Sequence, residues 1–224
     1  MEDISIRQDI VCGGMYRSGT TLVYNMVCDM IENQAQVEPV FTPTGKRFGN
    51  IYLHKIHEDT PDYITRSLVG KIKVIYNYRN ILDCLVSMCQ KNNLAYKNFN
   101  LHGRDPLEFI RWMINLDNQV CASKGKFLEI RYESQITQID TLHIELGNFL
   151  GIDPDIDISK YEFSKVKEKT DSLNTLDRRS NFWPNHLADG KVGKYMDFLE
   201  DSQIKSIYSN TEYVDWAKRR QYIK

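Results

Sequence analysis

The sequence predicts an α/β fold of three layers, with a mainly parallel central sheet flanked by helices. Three observations carry this. Short apolar runs alternate with stretches of helical periodicity along the chain. One of those runs, Lys71–Arg79 (KIKVIYNYR), has an unbroken apolar centre, as a parallel strand covered on both faces requires. The first run, Gln8–Met15 (QDIVCGGM), passes directly into glycines and then into a helical pattern.

In chain order, that first run is a short buried strand. The helix after it is expected from about Gly19 to Glu32, because Val23, Met26, Val27, Met30 and Ile31 fall on one face. Pro39–Gly49 reads as a loop from its Pro, Thr and Gly content, and Ile51–His57 as a second strand. After the strand at Lys71–Arg79, Asn80 is placed as a helix cap with Asp83 in the first turn; Leu82, Leu85, Val86 and Cys89 form the buried stripe. Asp105-Pro-Leu-Glu108 carries a stronger start signal, a cap, a proline in the first turn and a returning glutamate, for a helix to about Cys121. Phe127–Tyr132 is a further strand. A helix from about Ser134 stops at Leu150-Gly151, and Ile152–Asp189 is polar and irregular. Ligands in such sheets sit at the carboxyl ends of the strands, where the chemically interesting residues fall.

The 224 residues suit one domain spanning 1–224, and 42% hydrophobic with 11% aromatic content supplies a core without metals or disulfides. With 29 basic and 30 acidic residues the net charge is −1, which argues against a nucleic-acid or membrane-surface binder; any anion site is local. Cys12, Cys28, Cys84, Cys89 and Cys121 form neither a CxxC pair nor a zinc-spaced cluster, and four lie among apolar neighbours. The chain starts without an apolar signal segment and has no run long enough for a bilayer, so a cytoplasmic protein without membrane insertion is expected.

Gly14-Met-Tyr-Arg-Ser-Gly-Thr-Thr21 lies between the first strand and the first helix, the setting in which backbone amides cradle an anion. It has the outline of GxxxxGK[ST], making the fold P-loop-like, but Thr20 stands at the lysine position and the cation comes earlier, as Arg17. Its planar fork suits phosphate or sulfate oxygens, and Ser18, Thr20 and Thr21 add hydroxyls. Alternation along the second strand puts Lys55 and His57 on one face and His54 on the other. A histidine there suits proton abstraction from a hydroxyl, and Lys55 suits neutralising charge on a leaving group. Arg79 ends the third strand, and Ser87, eight residues on, shares a helix face with Asp83; together they suit a phosphate.

These motifs resemble the sulfotransferase family that uses 3′-phosphoadenosine 5′-phosphosulfate (PAPS). Tyr16-Arg-Ser-Gly-Thr-Thr-Leu22 is similar to its 5′-phosphosulfate loop, and Lys55-Ile-His57 to its Lys-Thr-His. Arg79-Asn-Ile-Leu-Asp83 with Ser87 is similar to its 3′-phosphate motif. Tyr132-Glu133 and Gly190-Lys-Val-Gly193-Lys-Tyr195 are similar to its later nucleotide contacts. The resemblance implies a catalytic role for His57, Lys55 and Arg17. It implies donor binding by Arg17, Ser18, Gly19, Thr20, Thr21, Leu22, Arg79, Ser87, Tyr132, Gly190, Lys191 and Gly193. Glu58 is the reserve base and His54 the rival if the register differs.

Two departures stand out. The family's Arg-Lys pair in the last motif is Ala188-Asp189 here, leaving Lys191, Arg178 or Arg179 as substitutes, and the adenine-stacking tryptophan is Leu22. The implied reaction is sulfuryl transfer from PAPS, leaving adenosine 3′,5′-bisphosphate (PAP), to a hydroxyl or amine of a small-molecule or saccharide acceptor. A P-loop kinase of a small metabolite and a non-catalytic nucleotide-binding protein remain as alternatives. Trp183, Phe182 and Tyr161 are candidates for lining the acceptor pocket. The family's dimerisation motif is not recognisable, so oligomeric state stays open.

Overall fold

The computed structural model describes residues 7–35, 39–70, 72–184 and 190–224, with the backbone alone at 135–137. The elements run β1 (Gln8–Gly14), α1 (Thr20–Ala35), β2 (Val40–Thr42), β3 (Gly45–Phe48), β4 (Ile51–Lys55), α2 (Thr60–Arg66), β5 (Ile72–Tyr78) and α3 (Ile81–Lys91). There follow α4 (Pro106–Ala122), β6 (Phe127–Arg131), α5 (Tyr132–Thr137), α6 (Ile139–Leu150), α7 (Phe163–Asp171), α8 (Tyr195–Phe198), α9 (Asp201–Tyr208) and α10 (Thr211–Arg219). The strands form one sheet in the order β2-β3-β4-β1-β5-β6. Four of them, β4, β1, β5 and β6, are parallel, and β2 and β3 are an antiparallel extension at one edge.

Both faces of the parallel part are covered, as the continuous apolar strands require. Along β1, Ile10 and Cys12 pack with Val23, Val27 and Leu146 from α1 and α6, while Val11 faces the other way toward Val74, Ile64 and Val120. A further core joins α3, α4 and α10 through Leu82, Leu85, Phe109 and Trp216, each essentially inaccessible to solvent. Among the described residues no helix is long and apolar enough to cross a membrane.

The start signals act as the side chains dictate. Asn80 Oδ1 accepts from the Leu82 amide, and Asp105 and Glu108 form a reciprocal capping box. Three expectations are corrected. Pro39–Gly49 is not all loop but holds the β2–β3 hairpin, whose strands of three and four residues are too short to show alternation. The helix expected from Ser134 begins at Tyr132 and is divided at Gln138, so it is two helices, α5 and α6. Within 152–184 the irregular reading misses α7, a largely polar helix that buries only Val166 and Thr170.

The chain leaves β1 for β4 on one side and β5 on the other, so β1 marks a topological switch point. The crevice beyond the carboxyl ends of these three strands is where such sheets bind ligands.

Candidate active site

Three neighbouring strand ends build the site. The loop after β1 is fixed to β5: the Met15 amide donates to the Asn77 carbonyl at 3.0 Å, and Ser18 Oγ donates to the same oxygen at 3.0 Å and to Met15 O at 2.7 Å. This close approach demands glycine at position 14, where φ is +151° and a Cβ would collide with the Asn77 carbonyl. Arg17 then takes a left-handed conformation, φ 64°, costly for a side chain with a Cβ and typical of strain kept at functional sites. The turn aims Arg17 across the crevice, where its Nε donates to Ser87 Oγ on α3 at 3.1 Å.

At the end of β4, Lys55 and His57 enter the same cavity, and His54 leaves it. His54 bonds Thr44 Oγ1 and Asp9 Oδ1, each at 2.8 Å, a structural bridge on the far side of the strand. His57 Nδ1 donates to the Gly14 carbonyl at 2.8 Å, which fixes the tautomer and leaves Nε2 as the acceptor nitrogen. Tyr16 stacks on the imidazole with ring centroids 4.4 Å apart, and its hydroxyl donates to Glu58 Oε1 at 3.2 Å. Glu58 is thus turned to Tyr16 and is not among the cavity-lining residues.

At the end of β5, Arg79 is nearly inaccessible and lies over the Tyr132 ring, its guanidinium carbon 3.8 Å from the centroid. Its Nη2 donates to the Lys191 carbonyl at 2.8 Å and lies 3.6 Å from Asp83 Oδ2. Asp83 also accepts from the Gly193 amide at 2.7 Å and the Tyr195 amide at 3.1 Å. The fully buried carboxylate therefore ties the last motif to α3 and steadies Arg79, although burial raises its pKa against the pull of Arg79 and the two amides.

The cavity has a volume of about 530 Å³. It brings together Arg17, Gly19, Thr20, Thr21, Leu22, Lys55, His57, Arg79, Ser87, Tyr132 and Gly190. Three residues of the donor-binding set read from the sequence do not line it. Ser18 spends its hydroxyl on Met15 and Asn77. Gly193 gives its amide to Asp83, and the Lys191 ammonium reaches toward Asp197 at 3.9 Å while only its carbonyl meets Arg79. Ala188-Asp189 lies outside the described residues, Arg178 does not line the cavity, and Arg179 reaches toward Glu32 at 3.4 Å. Tyr161, Phe182 and Trp183 do line it, joined by Lys91, Asn92, Met88, Leu101, Phe163 and Val166, which sequence reasoning missed. For Lys91 the signal was present: it lies four residues beyond Ser87, on the same helical face.

Electrostatically the site is one of gathered positive charge. Burial, then repulsion from Arg79, lowers the Arg17 pKa to about 10. Burial, then Lys91 and Arg17, lowers Lys55 to about 8. His57 falls to about 4, chiefly by burial, with Lys55 and Arg17 adding to the effect and the Gly14 hydrogen bond opposing it. At neutral pH the imidazole is an uncharged base set among cations, an arrangement suited to accepting a proton beside a bound anion.

Comparisons with known proteins bear on the fold and the family. No curated protein sequence matches the chain. Among solved structures, mouse sulfotransferase SULT7A1 complexed with PAP is similar at 17% identity, with a TM-score of 0.63, over 96% of this chain and 87% of that one. Retinol dehydratase, crystallised with androsterone and the inactive cofactor PAP, is similar at 15% identity, with a TM-score of 0.60, over 94% of this chain and 80% of that one. At such identities these likenesses speak for the fold. The sulfotransferase domain model matches residues 7–214, nearly the whole length, and on that match the chain belongs to the sulfotransferase family.

Proposed function

We propose that this single-domain enzyme transfers the sulfuryl group of PAPS to the hydroxyl or amine of a small-molecule or saccharide acceptor, with His57 as base. The observation that carries the reading is the neutral His57, held by Gly14 with Nε2 directed to accept, in a cavity shared with Lys55, Arg17 and Arg79. The residues fit a doubly anionic nucleotide. Arg79 Nε is buried with no hydrogen-bond partner among the described residues, which a phosphate oxygen would satisfy, and Ser87, whose Oγ accepts from Arg17 Nε at 3.1 Å, adds a hydroxyl to the same cavity. In this reading Arg79 and Ser87 hold the 3′-phosphate and Tyr132 flanks the nucleotide. Arg17, Lys55 and the Gly19–Thr21 turn hold the 5′ end, and Leu22 packs near the base.

PAPS supplies an activated sulfuryl group on a phosphate oxygen. His57 Nε2 takes the proton from the acceptor as the acceptor atom bonds to sulfur; the old S–O bond breaks and its electron pair stays on the phosphate. Arg17 and Lys55 meet the charge that grows on that phosphate, a preorganised electrostatic contribution requiring no rearrangement. The anionic donor also raises the basicity of His57 by offsetting Lys55 and Arg17. The apolar walls at Leu101, Phe163 and Val166 support a small acceptor with an apolar body; the retinol dehydratase structures carry androsterone or retinol beside PAP. Five free cysteines, four of them buried, support a cytoplasmic setting.

The test is transfer from sulfur-labelled PAPS to a library of hydroxyl and amine acceptors, comparing wild type with His57→Gln. The expected result is a loss of about 10²–10⁴-fold in the variant with PAP affinity largely kept. Undiminished transfer removes His57 from its role.

A further inference from the structure

Two cations that line the cavity, Lys91 and Lys194, are left unused by the donor reading; Lys194 is nearly inaccessible and its Nζ donates to Gln90 Oε1 at 2.8 Å, which leaves Lys91 to explain. Along α3 the positions Asp83, Ser87 and Lys91 recur every four residues, so Lys91 stands one turn beyond Ser87 and about 12 Å along the axis from Asp83, while Arg79 precedes the helix. Arg79 and its phosphate-binding neighbours are thus behind it. It is near Lys55: after burial it is the strongest influence on that ammonium, ahead of Arg17. Its own Nζ lies 5.9 Å from the centroid of Trp183, a half-exposed indole on the cavity wall. Among the described residues no carboxylate is an electrostatic neighbour of Lys55 or Lys91, and burial followed by Arg17 depresses the Lys91 pKa.

A half-buried ammonium near Lys55 is unfavourable in the empty protein, because no carboxylate among the described residues offsets its desolvation. A ligand anion is the natural complement. The donor's two anionic ends already have Arg79 with Ser87 and Arg17 with Lys55, which leaves Lys91 facing the acceptor.

We propose that the acceptor is an aromatic hydroxy acid whose anionic group pairs with Lys91, and that Lys91 sets this specificity. The ring packs on Trp183 and Leu101 while the hydroxyl reaches His57. The proposal rests on the sulfotransferase reading above, and it can fail without that reading failing.

The experiment is calorimetric titration of the PAP-saturated protein with para-hydroxybenzoate, para-hydroxyphenylacetate and para-hydroxyphenylpropionate, each against its neutral primary amide. At least one acid is expected to bind about tenfold or more tightly than its amide, a ratio falling toward one in Lys91→Gln and recovering in Lys91→Arg. Equal binding of acid and amide, no binding of either, or a ratio indifferent to Lys91→Gln overturns the proposal. So does a Lys91→Gln variant that mainly loses PAP affinity, which would assign the lysine to the donor. Failure of wild type to bind PAP at all overturns the donor reading; in that case the acid and amide titrations of the unsaturated protein still decide the role of Lys91.

Discussion

Asp117, fully buried on α4, accepts from Tyr76 Oη at 2.9 Å, Trp216 Nε1 at 3.0 Å and Arg220 Nη2 at 2.7 Å, and Arg220 also meets Glu129 at 3.0 Å. The cavity at the strand ends instead collects Arg17, Lys55 and Lys91, which repel one another. The two clusters shift their arginines in opposite directions. Burial disfavours the Arg220 charge, but hydrogen bonds to Asp117 and Glu129 outweigh it and hold the pKa above its usual value. Arg17, with burial and Arg79 acting together, falls to about 10. A charge answered within the chain is part of the scaffold. Charges of one sign gathered in a crevice destabilise the empty protein and await a partner from outside.

The largest expected effect of breaking this contrast is on stability. Asp117→Ala strips Arg220, Trp216 and Tyr76 of their shared acceptor and should cost about 3–5 kcal/mol in urea unfolding, because the Arg220 charge loses its buried counterion. A loss below about 1 kcal/mol would show the cluster to be incidental.

Lys55→Met should act with the opposite sign. The folded protein holds the Lys55 pKa near 8 against an ordinary 10.5, so it disfavours the proton that the unfolded chain keeps. The resulting penalty is fully present below about pH 8 and is relieved as pH rises from about 8 to 10.5. At pH 7 the variant should therefore be more stable than wild type by about 1–3 kcal/mol, the gap closing through that window, while its transfer activity falls. A destabilised variant would mean that Lys55 has an internal partner.

A third consequence concerns pH and sharpens the same contrast. In the proposed mechanism, donor binding and charge stabilisation need Lys55 protonated, and proton abstraction needs His57 neutral. With pKa values of about 8 and about 4 in the free enzyme, kcat/KM should hold from about pH 5 to 7, fall above about 8, and fall again only near 4. Lys55→Arg should carry the alkaline limb upward. An acid limb at the ordinary histidine value near 6.5 would contradict the burial assigned to His57.

Much of the site was legible in the sequence because its residues lie at the ends of strands with strong patterns. Arg17, Lys55, His57 and Arg79 follow apolar runs whose ends are readable, and local spacing carries Ser87 from Arg79. What escaped depends on long-range contact. Asp83 read as a helix-start acid and is the receptor for the Gly193 and Tyr195 amides, 110 and 112 residues away. Ser18 belongs to the motif, yet the packing of the loop on Asn77 turns its hydroxyl inward. The cavity wall at Phe163 and Val166 comes from α7, in polar sequence without periodicity, and only the fold brings it to the strand ends. The β2–β3 hairpin was invisible because strands so short are set by pairing with β4.

The most direct test of the account is a calorimetric titration of the protein with PAP, set beside Mg-ATP and repeated in Arg79→Met. The account predicts that PAP binds more tightly than Mg-ATP, with affinity falling as salt rises, and that Arg79→Met weakens PAP by about thirtyfold or more, about 2 kcal/mol. Tighter binding of Mg-ATP, or a PAP affinity indifferent to the loss of Arg79, would contradict it.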